Sequence, residues 1–95
     1  MRVRVRKSMN DETEFDRNQL QSKQDFGRFL EWFADDFKHN SAQWKNVDLP
    51  SFLEALIAYT DDIAGYYRNM QIQVDVEKPS WRLFADLLCG ARVYE

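Results

Sequence analysis

The sequence has few of the residues from which most active sites are built. It contains one histidine, His39, and one cysteine, Cys89, so an internal disulfide and a metal site of several histidines are excluded. Cys89 falls late in a predicted helix, away from the cations or helix N-terminus that activate a thiolate, which favours a buried structural role. His39 ends a predicted helix, where an imidazole is usually open to water. The three glycines are too far apart for a phosphate-binding loop. From the histidine, the cysteine and the glycines together, we expect no catalytic residue, no metal ligand and no cofactor.

Long apolar runs and a secretory signal are also missing from the sequence. No run approaches the ~20 residues that span a bilayer. The basic start MRVRVRKS has no apolar segment behind it. Together with the single cysteine, these features predict a cytoplasmic protein. A chain of 95 residues predicts one domain, and a hydrophobic content of 44% is sufficient for a packed core.

Charge is distributed unevenly along the chain. The net charge is −3, but four of the first eight residues are basic, and residues 9–95 carry nine basic and sixteen acidic side chains. The body of the protein is therefore acidic, which repels nucleic-acid phosphates and attracts basic proteins. We expect a basic protein partner, and neither a nucleic-acid nor a membrane partner.

Two segments in the middle of the chain have the spacing and the caps of amphipathic helices. The first covers residues 22–40, with Ser22 as the N-cap and Asp25 placed to complete a capping box. The second covers about residues 48–64, with Asp48 as the N-cap and a proline in the first turn, where it is tolerated. Gly65 either ends this helix or lies in a continuation that Tyr66 and Tyr67 complete. Apolar side chains recur three and four residues apart in both segments, which predicts one buried face for each helix.

A third helix is predicted over residues 80–94, with Ser80 as its N-cap. Arg82 and Asp86 are spaced for an ion pair within this helix, worth roughly 0.3–0.5 kcal/mol if exposed. The apolar stripes of the three helices predict a core. Its main members are Phe26, Phe29, Leu30, Phe33, Phe37, Leu49, Phe52, Leu53, Leu56, Ile57, Ile63, Tyr67, Trp81, Phe84, Leu87, Leu88 and Ala91.

These helices predict an all-α fold, a compact three-helix bundle. Residues 1–20 read as a flexible tail that is first basic and then acidic, and residues 21–95 as a single helical domain. Between the second and third helices, apolar and polar residues alternate over 72–76, which is the period of a strand. A strand there would need Val3–Val5 as its partner, so an extended loop is the favoured interpretation and a strand the alternative.

Two pairs of neighbouring aspartates are the most noticeable charged features. Asp35 and Asp36 lie late in the first helix, and Asp61 and Asp62 lie late in the second. The sequence has neither a calcium loop nor the Glu-x-x-His motifs of carboxylate metal sites. A solvated acidic face is the simplest interpretation of these pairs, and recognition of a basic protein is the functional one.

Several aromatic side chains fall outside the predicted core stripes. They are Trp32, Tyr59 and Tyr66. Tryptophan and tyrosine are favoured as interface anchors, although partial burial is the ordinary fate of large aromatics in a small domain. The residues predicted to contact a partner are Trp32, Asp35, Asp36, Asp61, Asp62 and Tyr66.

Short motifs over about residues 20–95 resemble a small bacterial protein family that is known only as a domain of unknown function. The motifs are Asp25–Phe26, Trp44–Asn46–Leu49, Gly65–Tyr66–Tyr67, Ser80–Trp81–Arg82 and Tyr94–Glu95. The resemblance implies a stand-alone bacterial helical domain, and it brings no activity, cofactor or catalytic residue.

Three hypotheses about function follow. The first is a non-enzymatic protein-binding module, of which an immunity or antitoxin-like inhibitor is one type, because small acidic proteins of this shape are similar in character to toxin inhibitors. The second is a homodimeric structural or regulatory subunit whose spare aromatics meet across the interface. The third and least favoured is a metal-assisted hydrolase that uses the paired aspartates.

Overall fold

The computed structural model describes residues 15–95, and within them it confirms an all-α, three-helix bundle. No strand is present in this part of the chain. Two short 3-10 turns precede and follow the first helix. The elements, in chain order, are the turn Arg17–Gln19, helix α1 (Lys23–Asn40), the turn Ser41–Gln43, helix α2 (Leu49–Met70) and helix α3 (Trp81–Ala91).

The start of α1 has the predicted cap. The Ser22 hydroxyl oxygen accepts a hydrogen bond from the backbone N–H of Asp25 at 3.0 Å. The Asp25 carboxylate in turn accepts one from the backbone N–H of Gln21, also at 3.0 Å. Two backbone donors that the helix itself cannot satisfy are thereby paired, so the local sequence is sufficient to fix where α1 begins.

Helix α2 begins as predicted but runs further. Asp48 caps it by accepting the backbone N–H of Ser51 at 2.9 Å. Of the two predicted endings the continuation past Gly65 is the one observed, and the helix runs on through Tyr66 and Tyr67 to Met70. It stops at Gln71, whose φ of 58° lies in the left-handed region. Burial of Tyr67, which is 3% exposed, offsets the small helical cost of glycine and holds the extra turns in place.

Helix α3 is shorter than predicted. Ser80 caps it as expected, but regular helix ends at Ala91 instead of continuing to residue 94. The side-chain amide of Asn46 donates to the backbone carbonyl oxygens of Ala91 and Tyr94, both at 2.9 Å. These bonds satisfy carbonyls at the helix end with a residue 45 positions away, which no local pattern reveals.

The alternating segment after α2 forms no strand. Ile72, Val74 and Val76 are partly buried against a core cluster shared by α2 and α3. The extended-loop interpretation is therefore confirmed within the described residues. The proposed partner Val3–Val5 lies outside them.

The segment just before α1 packs against the helices, although the sequence assigned it to the tail. Leu20 is 7% exposed and belongs to a cluster with Phe29 and residues of α3. The ring of Phe15 meets that of Phe29 edge-on, with centroids 5.7 Å apart. These two side chains therefore pack on the helices, and the rest of the predicted tail, residues 1–14, lies outside the described residues.

Helix α3 is the central element because it packs against both α1 and α2. Its buried residues divide between two clusters, one facing each neighbouring helix. The α1 side contains Leu20, Phe29, Ala85 and Cys89, and the α2 side contains Tyr59, Ile63, Tyr67 and Leu83. Cys89 is buried, as predicted. No helix in residues 15–95 has the length and apolar character needed to cross a membrane.

Candidate functional site

A buried carboxylate, Asp86, lies where α2, α3 and the segment before α1 meet. It is 2% exposed and accepts hydrogen bonds from the Tyr67 hydroxyl at 2.7 Å, from Arg82 Nε at 3.1 Å and from Arg17 Nε. The predicted Arg82–Asp86 pair is present. It is not the exposed pair for which a small contribution was expected, because Asp86 turns inward and also binds donors from α2 and from the segment before α1.

The donors around Asp86 give it a structural role. Burial, followed by the hydrogen bond to Asp86, raises the pKa of the Tyr67 hydroxyl well above its usual range. Burial also raises the pKa of Tyr59 to about 12. Both phenols are therefore protonated at neutral pH, and the Asp86 oxygens are already engaged by three donors, so this cluster offers no general base.

Asp36, one of the predicted contact residues, is occupied inside the molecule. Its side chain is 12% exposed and accepts hydrogen bonds from Trp44 Nε1 and Arg92 Nη1, each at 2.9 Å, and from Asn40 Nδ2 at 3.0 Å. The Arg92 guanidinium also lies over the half-buried Trp32 ring, 5.7 Å from its centroid. Trp32 and Asp36 thus tie the end of α1 to the C-terminal turn.

The other predicted contact residues are divided between two places. Asp35 is 69% exposed and lies 3.3 Å from His39 on the surface of α1. Asp62 on α2 accepts a hydrogen bond from the Tyr94 hydroxyl. Tyr66 is half-buried, and Asp61 is exposed on α2. The six residues do not form one continuous group, and their contact with a partner stays a prediction.

A pocket of about 390 Å³ opens between α2, α3 and the last residues of the chain. Tyr59, Tyr66 and Tyr94 form part of its wall. Tyr59 was expected off the core, but it is 9% exposed because Gly90 lets its ring approach α3, where an added Cβ would overlap it. Arg17 and Asp86 also line this pocket and bind each other. The wall of this pocket is therefore built largely from phenol rings and from an ion pair that is already made within the molecule.

The largest departure from the predicted core lies on the first half of α2. Leu49, Leu53 and Ile57 were expected to be buried, yet they are 68%, 45% and 68% exposed. At 100° per residue these three side chains are centred about 80° around the helix axis from Tyr59, Ile63 and Tyr67, which pack with Leu83 of α3, so α3 leaves them exposed. Phe37 and Phe84, also assigned to the core, are 40% and 39% exposed. We refer to Leu49, Leu53 and Ile57 as the α2 stripe.

The surroundings of the α2 stripe are acidic. No lysine or arginine occurs between Lys45 and Arg68. Glu54 and Asp61 lie three residues before and four residues after Ile57, which are neighbouring positions on a helix surface. Both are exposed, and neither makes a hydrogen bond or ion pair within residues 15–95. Apart from Asp61, these residues were not predicted as site residues, although the cation-free stretch can be read directly from the sequence.

Residues 15–95 bring together no set of three or more histidine, cysteine, aspartate or glutamate side chains that could hold a metal ion. The paired aspartates thus lie apart from further ligands in the described part of the chain.

No curated protein and no solved structure matches the chain. Residues 22–95 match a family of unknown function, DUF7660. This match covers most of the chain and nearly the same range as the motif resemblance, which confirms the expectation of a domain of unknown function. The chain therefore belongs to the DUF7660 family.

Proposed function

We propose that this domain is a non-enzymatic module that binds a basic protein through the first half of α2. The observation that carries the proposal is the α2 stripe, three large apolar side chains on successive turns that no described element covers. Clustered apolar residues rimmed by charge are typical of interaction surfaces. Here the rim is Glu54 and Asp61, which favours a partner of positive charge.

The two kinds of side chain would contribute differently to binding. Carboxylates accelerate the encounter with a basic protein, whereas buried apolar side chains slow its dissociation. An inhibitor that occupies a basic site on a toxin, acting in the bacterial cytoplasm, is the role of this type that we propose. The proposal keeps Asp61 from the predicted contact residues and moves the centre of the surface from α1 to α2.

Affinity capture from the native host, followed by association kinetics with the captured protein, tests this proposal. The variant Glu54→Gln/Asp61→Asn removes two charges beside the α2 stripe, and Glu31→Gln/Asp35→Asn removes two from α1 as a matched control. We expect the α2 variant to associate several-fold more slowly at low salt, and the control to behave as wild type. An effect confined to the α1 variant would place the binding surface at the acidic end of α1 instead.

The alternative proposal is a homodimeric structural or regulatory subunit, and the same apolar stripe is the observation that favours it. A two-fold interface would bring together two copies of a surface that has no cation between residues 46 and 67. Light scattering over a range of concentrations distinguishes the two proposals, because a persistent monomer excludes the dimer.

A further inference from the structure

We infer that the partner docks on the α2 stripe with an amphipathic α-helix that carries lysine or arginine along one edge. This inference rests on the proposed function and adds the form of the partner element. Three features of α2 support it, namely the spacing of the stripe residues, the contacts that hold the helix beneath them and the position of the neighbouring carboxylates.

The stripe has the dimensions of a helix-docking surface. Leu49, Leu53 and Ile57 follow one another at intervals of four residues, and eight residues of helix span about 12 Å. A partner helix presents apolar side chains at the same repeat, so two of its turns match the stripe. A partner strand would have no sheet edge to join, since residues 15–95 contain no strand and α2 satisfies its own backbone.

The support beneath the stripe is well ordered by local and tertiary contacts. Asp48 fixes the first turn of α2 through the Ser51 backbone N–H. On the adjoining face, the Phe52 ring lies 6.2 Å from that of Phe33 and 6.1 Å from that of Trp44. The stripe is therefore presented on a pre-formed helix, which reduces the ordering cost of binding.

The charges near the stripe lie on one of its two sides. Glu54 and Asp61 are seven residues apart, so they project within about 20° of each other around the helix axis. The other side is formed by the half-buried Phe52 and Leu56. A partner helix with positive charge on one edge only would match this asymmetry, which would also set its orientation.

Other occupants fit the charge pattern less well. A second copy of this domain would bring a second acidic edge to the interface. An anionic lipid surface attracts helices with lysine and arginine on the polar face, and α2 has neither before Arg68. A basic protein helix is the occupant that satisfies both the apolar spacing and the charge.

Binding of designed peptides to the full chain, measured by fluorescence anisotropy, tests the inference. The probe is a lysine–leucine peptide of about 18 residues with leucines spaced three and four apart, as on one helix face. A peptide of the same composition in shuffled order serves as its control. The protein variants are Leu53→Ser/Ile57→Ser in the stripe and Met70→Ser/Val93→Ser, which changes two exposed apolar residues elsewhere.

We expect the amphipathic peptide to bind with a Kd of roughly 10–100 μM, as suits a small interface. The stripe variant should weaken binding at least about tenfold, whereas the Met70→Ser/Val93→Ser control should not change it. Glu54→Gln/Asp61→Asn should weaken it about threefold at low salt and reduce its salt dependence. The shuffled peptide should bind more weakly than the amphipathic one.

The outcomes separate the inference from the proposed function. If the shuffled peptide binds equally well, and only the charge variant weakens binding, a basic partner remains while the docked helix is excluded. If neither peptide binds below about 1 mM, both proposals fail. Tighter binding of a peptide of residues 1–8, or a dimer lost in the stripe variant, would identify another occupant and overturn the inference.

Discussion

The two halves of α2 have the same apolar spacing and opposite environments. In the second half, three large side chains at four-residue intervals are 9%, 2% and 3% exposed, whereas in the first half three others are 68%, 45% and 68% exposed. The buried residues are Tyr59, Ile63 and Tyr67, and the exposed ones are Leu49, Leu53 and Ile57. At 100° per residue the two sets are centred about 80° apart around the helix axis, so they lie on different faces of α2. Hydrophobic periodicity therefore marks each apolar face, and the neighbouring elements decide which of the two faces is covered.

What covers the second half is α3, together with the hydrogen bonds to Asp86. Tyr67 donates to Asp86 at 2.7 Å, and Asp86 also binds Arg82 on its own helix and Arg17 from the segment before α1. The second half of α2 is thus part of the folding core. In the first half the cap, the half-buried Phe52 and Ala55, which is 8% exposed, hold the helix in place and leave the α2 stripe exposed.

The largest expected contrast between the halves comes from one substitution at two positions. Ile63→Ala removes buried methyl groups and should lower the free energy of unfolding by about 2–5 kcal/mol. Ile57→Ala, at a position 68% exposed, should change it by less than about 0.5 kcal/mol. Urea unfolding followed by circular dichroism measures both. A large loss from Ile57→Ala would show that the first half is covered in solution and would contradict the division of α2.

A somewhat smaller loss is expected from Asp86→Ala. Removal of this buried carboxylate leaves Tyr67, Arg82 and Arg17 without their shared acceptor, which should cost about 2–4 kcal/mol. Partial exposure of the two arginines, 19% and 23%, keeps the estimate below that for a fully buried pair. Asp61→Ala on the exposed face is the matched control, and its unfolding curve should overlay that of wild type. If the two variants had equal free energies of unfolding, the hydrogen bonds of Asp86 would not stabilise the core.

Glycine positions offer a third comparison, in which the same substitution should act with opposite signs. An added Cβ at Gly90 would overlap the Tyr59 ring, so Gly90→Ala should destabilise the protein by about 1–3 kcal/mol. Gly27, in α1, has no atom within 4 Å of the added Cβ, and Gly27→Ala should stabilise by about 0.5–1 kcal/mol. Thermal unfolding gives both shifts. A higher midpoint for Gly90→Ala would mean that the close contact of α2 with α3 is not required.

Features set by neighbouring residues in the chain could be predicted from the sequence. Ser22, Asp48 and Ser80 each cap the helix that follows, because a cap needs only a side-chain oxygen and amides three residues on. Features set by distant residues could not. The burial of Asp86 depends on Arg17, 69 positions away, and the early end of α3 depends on Asn46. Neither separation leaves a periodic trace in the sequence.

The sequence predicted the acidic character of the candidate site and did not predict its position. An acidic surface follows from composition, and Asp61 belongs both to the predicted contacts and to the proposed surface. The position of the surface did not follow, since Asp36 looks like any exposed acid until Trp44 and Arg92 are found bonded to it. The spacing of α2 predicts one wide apolar face, and only the packing of α3 shows that its centre lies at Tyr59, Ile63 and Tyr67 while the α2 stripe stays at its edge.

The smallest expected effect concerns Asp48, which caps the half of α2 that carries the stripe. Hydrogen bonds from Ser51 hold the pKa of Asp48 below its ordinary value of 3.8. A carboxyl whose pKa is lower in the folded state stabilises at pH values above 3.8 and loses that contribution as the pH falls through the folded value. Helical chemical shifts in the first turn of α2 should therefore weaken on acidification before those around Ile63 do.

Asp48→Asn isolates this effect, because asparagine also caps a helix but does not titrate in this range. The variant should show no comparable acid-dependent weakening of the first turn, whereas the second half of α2, supported by α3, should respond alike in both proteins. If the variant and wild type lose the first turn over the same pH range, the charge of Asp48 is not what holds it. The first turn of α2 would then be held by Phe52 and its aromatic neighbours and by packing within the helix.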